Sequence, residues 1–103
     1  MTALSQVKIN PRANVYFDGK CVSHSIELPD GTKKSVGVIL PSTLKFNTGA
    51  PEVMELVEGE CRVRLAGSEA WASYGGGQSF AVPGNSSFDI EVTKTLHYVC
   101  HFG

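Results

Sequence analysis

A chain of 103 residues can bury one core but not two, so a single domain is expected. Nine basic against ten acidic residues give a formal net charge of -1, which leaves no electrostatic footprint for nucleic acid or for an anionic membrane. Three cysteines, an odd number without a C-x-x-C pair, fit neither a disulfide framework nor a four-ligand zinc site; they point to reduced, buried thiols in a cytoplasmic protein. The beginning, MTALSQVKINPRAN, has no apolar run behind a basic end, and no stretch is long enough to span a bilayer. Neither secretion nor membrane insertion is expected.

Residues 1–13 are polar and unpatterned, with Pro11 as a breaker. They are expected to form an arm, disordered or laid against a neighbouring subunit, ahead of a domain over 14–103. From Val15 onward short β-rich runs alternate with turn signals: VYF before Asp18-Gly19, VSHSIEL before Pro29-Asp30-Gly31, KKSVGVIL before Pro41. Then come TLKFNT before Gly49-Ala50-Pro51, VMELV before Glu58-Gly59, and ECRVRL before Gly67-Ser68. The last third reads AWASY, the glycines 75–77, SFAVP, Gly84-Asn85, SSFDIEV and TLHYVCHF. About ten short strands with no capped helical period predict an all-β, antiparallel barrel. Alternation turns Cys61, Val63 and Leu65 inward and Glu60, Arg62 and Arg64 outward. In the last strand Leu96, Tyr98, Cys100 and Phe102 share the core face, opposite His97, Val99 and His101.

One stretch, Thr43 to Gly59, has the look of a site. Glu52 stands where a strand begins, preceded by Phe46 and Thr48 at two-residue spacing, so the three can share one side of a pleated surface. A bland reading stands beside each residue. Phe46 and Phe88 fit a core, and Glu52 fits an exposed strand end. Arg62 and Arg64 fit a solvated outer face better than a phosphate site. His97 and His101, four apart on a strand, are about 13 Å apart and cannot chelate one metal together. His24 has no partner visible in the sequence. Cys21, Cys61 and Cys100 lack the neighbours of a nucleophilic thiol. The glycines 75–77 precede no helix and no Lys-Ser/Thr pair, and read as a turn, not a phosphate loop. Tyr16 and Tyr98 are better pocket candidates than Tyr74.

Two segments match a known pattern. Gly77-Gln-Ser-Phe-Ala-Val-Pro83-Gly84 resembles the second cupin motif, and Glu52 followed by Gly59 resembles the end of the first. The blocks YFDGK at Tyr16, SVGVILP at Ser35, FNTGAPEVMELVEG at Phe46 and GGGQSFAVPGNSSFDIEV at Gly75 are similar to one cupin family in particular, the pyrimidine/purine nucleoside phosphorylases. The resemblance runs from about Asn14 to Phe102 and implies a cupin-type jelly-roll β-barrel.

The resemblance also implies an activity. A metal-binding cupin carries imidazoles where this chain has Phe46 and Thr48, and another close to Phe88; only the acid, Glu52, is in place. That donor set suits a first-row metal poorly, so a metal-free pocket without an organic cofactor is expected. The family reaction is reversible phosphorolysis of purine and pyrimidine nucleosides to free base and ribose 1-phosphate, over a broad substrate range, with inorganic phosphate as co-substrate. Glu52 is the expected acceptor for ribose hydroxyls and the counter-charge for an oxocarbenium-like state. Thr48 is expected to orient sugar or phosphate, and Phe46 and Phe88 to flank the base. Lys20, Ser35, Arg62, Arg64 and the backbone of the Gly-rich turns are the phosphate candidates. Cupins also imply a symmetric homodimer that covers exposed edges. The same barrel also hosts non-catalytic small-molecule or sugar-binding proteins and metal-dependent isomerases or dioxygenases, so fold alone does not choose.

Overall fold

Alternating apolar and polar residues build nearly every element of this protein. The computed structural model describes residues 3–102, which form nine antiparallel strands and one 3-10 turn at Phe17–Gly19. The strands are β1 (Lys8–Ile9), β2 (Asn14–Tyr16), β3 (Cys21–Glu27), β4 (Lys33–Ile39), β5 (Ser42–Asn47), β6 (Glu52–Leu65), β7 (Ala72–Gly75), β8 (Ser79–Val82) and β9 (Ser87–Phe102). No helix among the described residues is long and apolar enough to cross a membrane. Part of the expected arm is in fact strand: Lys8 and Ile9 pair with Glu27 and Ile26, so the segment lies on its own chain's sheet edge. Met1 and Thr2 of that arm lie outside the described residues.

Two strands are much longer than their turn signals suggest. Glu58-Gly59 does not end a strand, and Thr93-Lys94 does not separate two; β6 runs 14 residues and β9 runs 16. The two pair along their whole length, with register shifts between Leu56 and Cys61. Gly59 has φ +108°, a conformation that side chains rarely adopt, and a Cβ there would run into the Thr95 carbonyl oxygen and the Leu96 Cα. Glycine here makes a bulge within a strand, where it sharpens twist and bend without breaking the ladder.

That bent ribbon carries two groups of strands. On the outer edge of β9, the C-terminal half pairs with β4 and the N-terminal half with β5. On the outer edge of β6, the first half pairs with β8 and the second with β7. β3 continues the sheet beyond β4, flanked by β1 and β2. The all-β, antiparallel architecture expected from the sequence is present, but the path from β1 to β7 does not close the hydrogen-bonded ladder into a barrel.

The inward faces meet in one apolar cluster that includes Ile39, Leu44, Leu56, Val63, Ile90 and Leu96. A line of rings crosses it from one group of strands to the other. Phe17 stands edge-on to Phe46 at 5.3 Å, Phe46 stacks on Phe88 at 5.5 Å, Phe88 meets Phe80 at 5.9 Å, and Phe80 meets Tyr74 at 5.1 Å. These ring contacts add to the burial that joins the two layers. On the outer face of β6 and β9, Arg62 is held bidentately by both Glu91 oxygens, Arg64 donates from Nε and Nη2 to the single oxygen Asp89 Oδ2, and both guanidinium groups lie over the Trp71 ring.

Because Gly59 sets the bend for both halves, Gly59→Ala should destabilise the fold by about 3 kcal/mol or more. The urea midpoint should fall accordingly, whereas Gly67→Ala, at an open turn of similar φ, should cost markedly less.

Candidate functional site

Inward residues of β3, β4, β5, β6 and β9 leave a cavity of about 190 Å³ between the layers. Six of the residues singled out in the sequence line it: Tyr16, Ser35, Phe46, Glu52, Phe88 and Tyr98. Cys21, Ser23, Asn47, Met54, Cys100 and Phe102 are also in its wall. The juxtaposition follows from register. Glu52 pairs with Phe102, Met54 with Cys100 and Leu56 with Tyr98, so the inward faces of β6 and β9 present these side chains together. Phe46 lies directly across the ladder from Phe88.

Glu52 is the only charged side chain among the described residues of that wall. Burial raises its pKa above the usual carboxylate value, and the Cys100 thiol, which donates to Oε1 at 3.6 Å, offsets this in part. None of the ion pairs among the described residues includes Glu52. The Cys100 thiol is itself pushed up to about 12, first by burial and then by the neighbouring Glu52 charge, so it remains S–H at neutral pH. Elsewhere in the wall the Tyr98 hydroxyl lies 3.6 Å from the Cys21 sulfur. Burial, then the Cys21 charge, raises the tyrosine's pKa and keeps it protonated. Gly37 permits this placement, because a Cβ there would come within 2.8 Å of the Tyr98 hydroxyl. Ser23 and Ser35 are both buried in the same wall. The cavity therefore combines one carboxylate, several neutral hydroxyl and thiol groups, and aromatic rings.

Thr48 and Lys20 stand outside it. The Thr48 hydroxyl donates to the Pro83 carbonyl at 2.7 Å and accepts from the Ser86 N–H at 2.9 Å, which ties the start of β9 to the end of β5. Lys20 is exposed beyond the 3-10 turn, its backbone N–H bound to the Phe17 carbonyl. Arg62 and Arg64 are engaged on the outer face described above. The Phe46 and Phe88 rings stack on each other, leaving no room for a base between them. Phe88 is buried, so Phe46 offers the more accessible ring. Among histidines, His101 lies between Lys34 at 2.6 Å and Glu55 at 2.9 Å, and His97 faces Glu58 at 3.5 Å, all away from the cavity. No three His, Cys, Asp or Glu side chains converge as a metal site among the described residues. One carboxylate with two separated thiols is a poor fit for the metals that cupins bind.

The sequence reading missed Ser23, Cys100 and Phe102 as wall residues. Alternation with Cys21 already placed Ser23 inward, and the Tyr98 face already contained Cys100 and Phe102. What was lacking was the knowledge that this part of the inward face borders a cavity.

Comparison with known proteins identifies the family. The family described as pyrimidine/purine nucleoside phosphorylase matches residues 11–102. A protein of that name from Thiobacillus denitrificans is 68% identical over 104 residues, covering 100% of both chains. Another from Cupriavidus pinatubonensis is 65% identical over 103 residues, covering 100% of this chain and 98% of its own. Among solved structures, a protein of unknown function (DUF1255) from Acinetobacter sp. ADP1 superposes with a TM-score of 0.95 at 48% identity, covering 98% of each chain. More distant structures share the fold alone. FeII HppE has a TM-score of 0.74 at 12% identity, covering 89% of this chain and 55% of its own. Bacillus subtilis oxalate decarboxylase OxdC has 0.68 at 13%, covering 86% and 27%. The family match, spanning most of the sequence, and the high-identity relatives together establish that the chain belongs to the pyrimidine/purine nucleoside phosphorylase family.

Proposed function

We propose that the chain catalyses reversible phosphorolysis of purine and pyrimidine nucleosides in the cytoplasm, without a metal or organic cofactor. A phosphate oxygen bonds to the anomeric carbon, the glycosidic C–N bond breaks, and its electron pair leaves with the base, giving ribose 1-phosphate. The observation that carries this reading is Glu52, a partly buried carboxylate with no ion-pair partner among the described residues, in a ring-lined cavity, within a family named for that activity. As positive charge builds on the sugar, a fixed carboxylate in a poorly solvated wall stabilises it more than water would. In the ground state the same oxygens accept from the ribose hydroxyls.

A cavity of about 190 Å³ suits a pentose better than a whole nucleoside. The sugar therefore goes inside and the base lies at the rim, against Tyr16 and Phe102, the lining rings that are 47% and 45% exposed. Ring-face contact tolerates purines and pyrimidines alike, which supports a broad substrate range. With no cation among the described residues of the wall, neutral donors are the best phosphate ligands; Ser35 stays a candidate and Ser23 takes the place of Lys20. Thr48 acts at one remove by fixing the loops around the site. The jelly-roll description of the two layers is part of this reading.

We also propose a homodimer. Val22, Val36, Val38, Val57 and Val99 form an apolar groove of about 590 Å³ on the outer face of the larger layer, bordered by Ala3 and Leu4. A second copy packed there would cover a surface unusual for a lone chain. Light scattering should give twice the chain mass for wild type and a lower mass for Val36→Asp; a monomeric wild type would refute the dimer.

Incubation with inosine or uridine should release base only when phosphate is present, with equal rates after chelator treatment. No release favours a non-catalytic sugar-binding module, and loss on chelation restores the metal-dependent reading. Glu52→Gln should lower kcat by about 100-fold or more. Its effect on stability has the opposite sign. A raised folded pKa means that the Glu52 contribution is full below the ordinary value of 4.5 and declines as pH rises through its own. The Gln variant should therefore melt at or above wild type at pH 7.5, with the difference shrinking toward pH 4; a variant equally active and less stable at pH 7.5 would remove Glu52 from the site.

A further inference from the structure

We infer that Cys100 is the positioning residue for Glu52, its thiol acting as the hydrogen-bond donor that fixes the carboxylate's direction in the cavity. The inference rests on the phosphorylase reading for its kinetic consequence, but not for the contact itself. Cys100 is 4% exposed, and its sulfur lies 3.6 Å from Glu52 Oε1. Both side chains are in the cavity wall. They meet because Glu52 sits diagonally across the β6–β9 ladder from Cys100, one inward position beyond Met54. Among the described residues, Cys100 supplies the side-chain hydrogen bond that Glu52 receives, and no cation pairs with that carboxylate.

The opposite flank of Cys100 is equally defined. Ser35 is its direct partner on β4, and Ser35 is buried in the same wall. Three neighbouring strands thus place a hydroxyl, a thiol and a carboxylate side by side. The thiol is unsuited to nucleophilic work, because burial pushes its pKa to about 12. A sulfur that keeps its proton is a donor, and a weak one. A lysine or arginine in its place would form an ion pair and neutralise the field that Glu52 presents to the sugar. A weak neutral donor orients the carboxylate while leaving that field in place.

Removing the donor should raise the Glu52 pKa, since the thiol hydrogen bond is the lowering influence on it. The test compares wild type, Cys100→Ala and Cys100→Ser, with Glu52→Gln used to assign the Glu52 resonance in protein labelled with 13C at glutamate carboxyls. In the Ala variant, the Glu52 titration and the acid limb of kcat/KM for inosine phosphorolysis should move up together by roughly half a pH unit or more. In the Ser variant, whose O–H donates more strongly, both should stay at the wild-type position or move below it. Unchanged titration in Cys100→Ala, with only a lower melting temperature, overturns the inference. If the Ala variant does not fold, an upward move in the Ser variant overturns it. The carboxyl titration needs no substrate, so absent phosphorolysis would refute the phosphorylase reading while the titration still decides whether Cys100 positions Glu52.

Discussion

The structure depends on the continuous pairing of β6 with β9. Each strand is long enough to serve both groups of strands, and each bends where the ladder slips between Leu56 and Cys61. Without the bend, the two ends of the ribbon would lie in one flat sheet with one buried face each. With it, Phe80 on β8 reaches Phe88 on β9 and Tyr74 on β7, so side chains from opposite halves close one core. The same bend brings Glu52 and Phe102 at one end of the ribbon over Phe88 at its other end and Phe46 on the adjoining β5. Fold and cavity therefore have one origin, a bulge at a residue that lacks a Cβ.

This origin explains which parts of the fold were legible in the sequence. Alternation put Cys61, Val63, Leu96, Tyr98 and Cys100 inside, and all five are buried. It also put Leu65 and Phe102 inside, and these are 36% and 45% exposed because they end their strands, where the opposing layer no longer covers them. Gly59 read as a turn because glycine at positive φ serves turns and bulges equally. Only the partner strand distinguishes them, and Thr95, against which Gly59 packs, is 36 positions away in the chain. Closure of the ladder is likewise a property of the whole set of strand ends, and no local pattern encodes it.

The candidate site was legible as a set of faces and illegible as a set of contacts. Phe46, Glu52, Phe88 and Tyr98 were found by two-residue spacing and by resemblance, and all line the cavity. Thr48 shows the difference. Its side was readable, but its two hydrogen bonds go to Pro83 and Ser86, and these remote partners turn a possible ligand contact into a loop tie. The ring pair shows it again. Spacing gave two aromatics near an acid, whereas the strand register stacks Phe46 on Phe88 and shifts the open ring faces to Tyr16 and Phe102. Sequence spacing specifies the side on which a group lies; it does not specify what already occupies that group.

Occupation also distinguishes Glu52 from the other acids. Glu27, Glu55, Glu58, Glu60, Asp89 and Glu91 each face a lysine, arginine or histidine. Asp18, Asp30 and Glu69 stand outside those pairs, and all three are exposed. Water already solvates them, so their charge has little reach. Glu52 alone combines partial burial with the absence of a cation partner among the described residues. An ion pair there would have lowered its pKa and stabilised the fold, but its field would then be directed at the partner. A raised pKa reflects the opposite arrangement: desolvation makes the charge costly until something positive arrives. Under the proposed phosphorolysis, that positive charge is the sugar at the point of bond breaking.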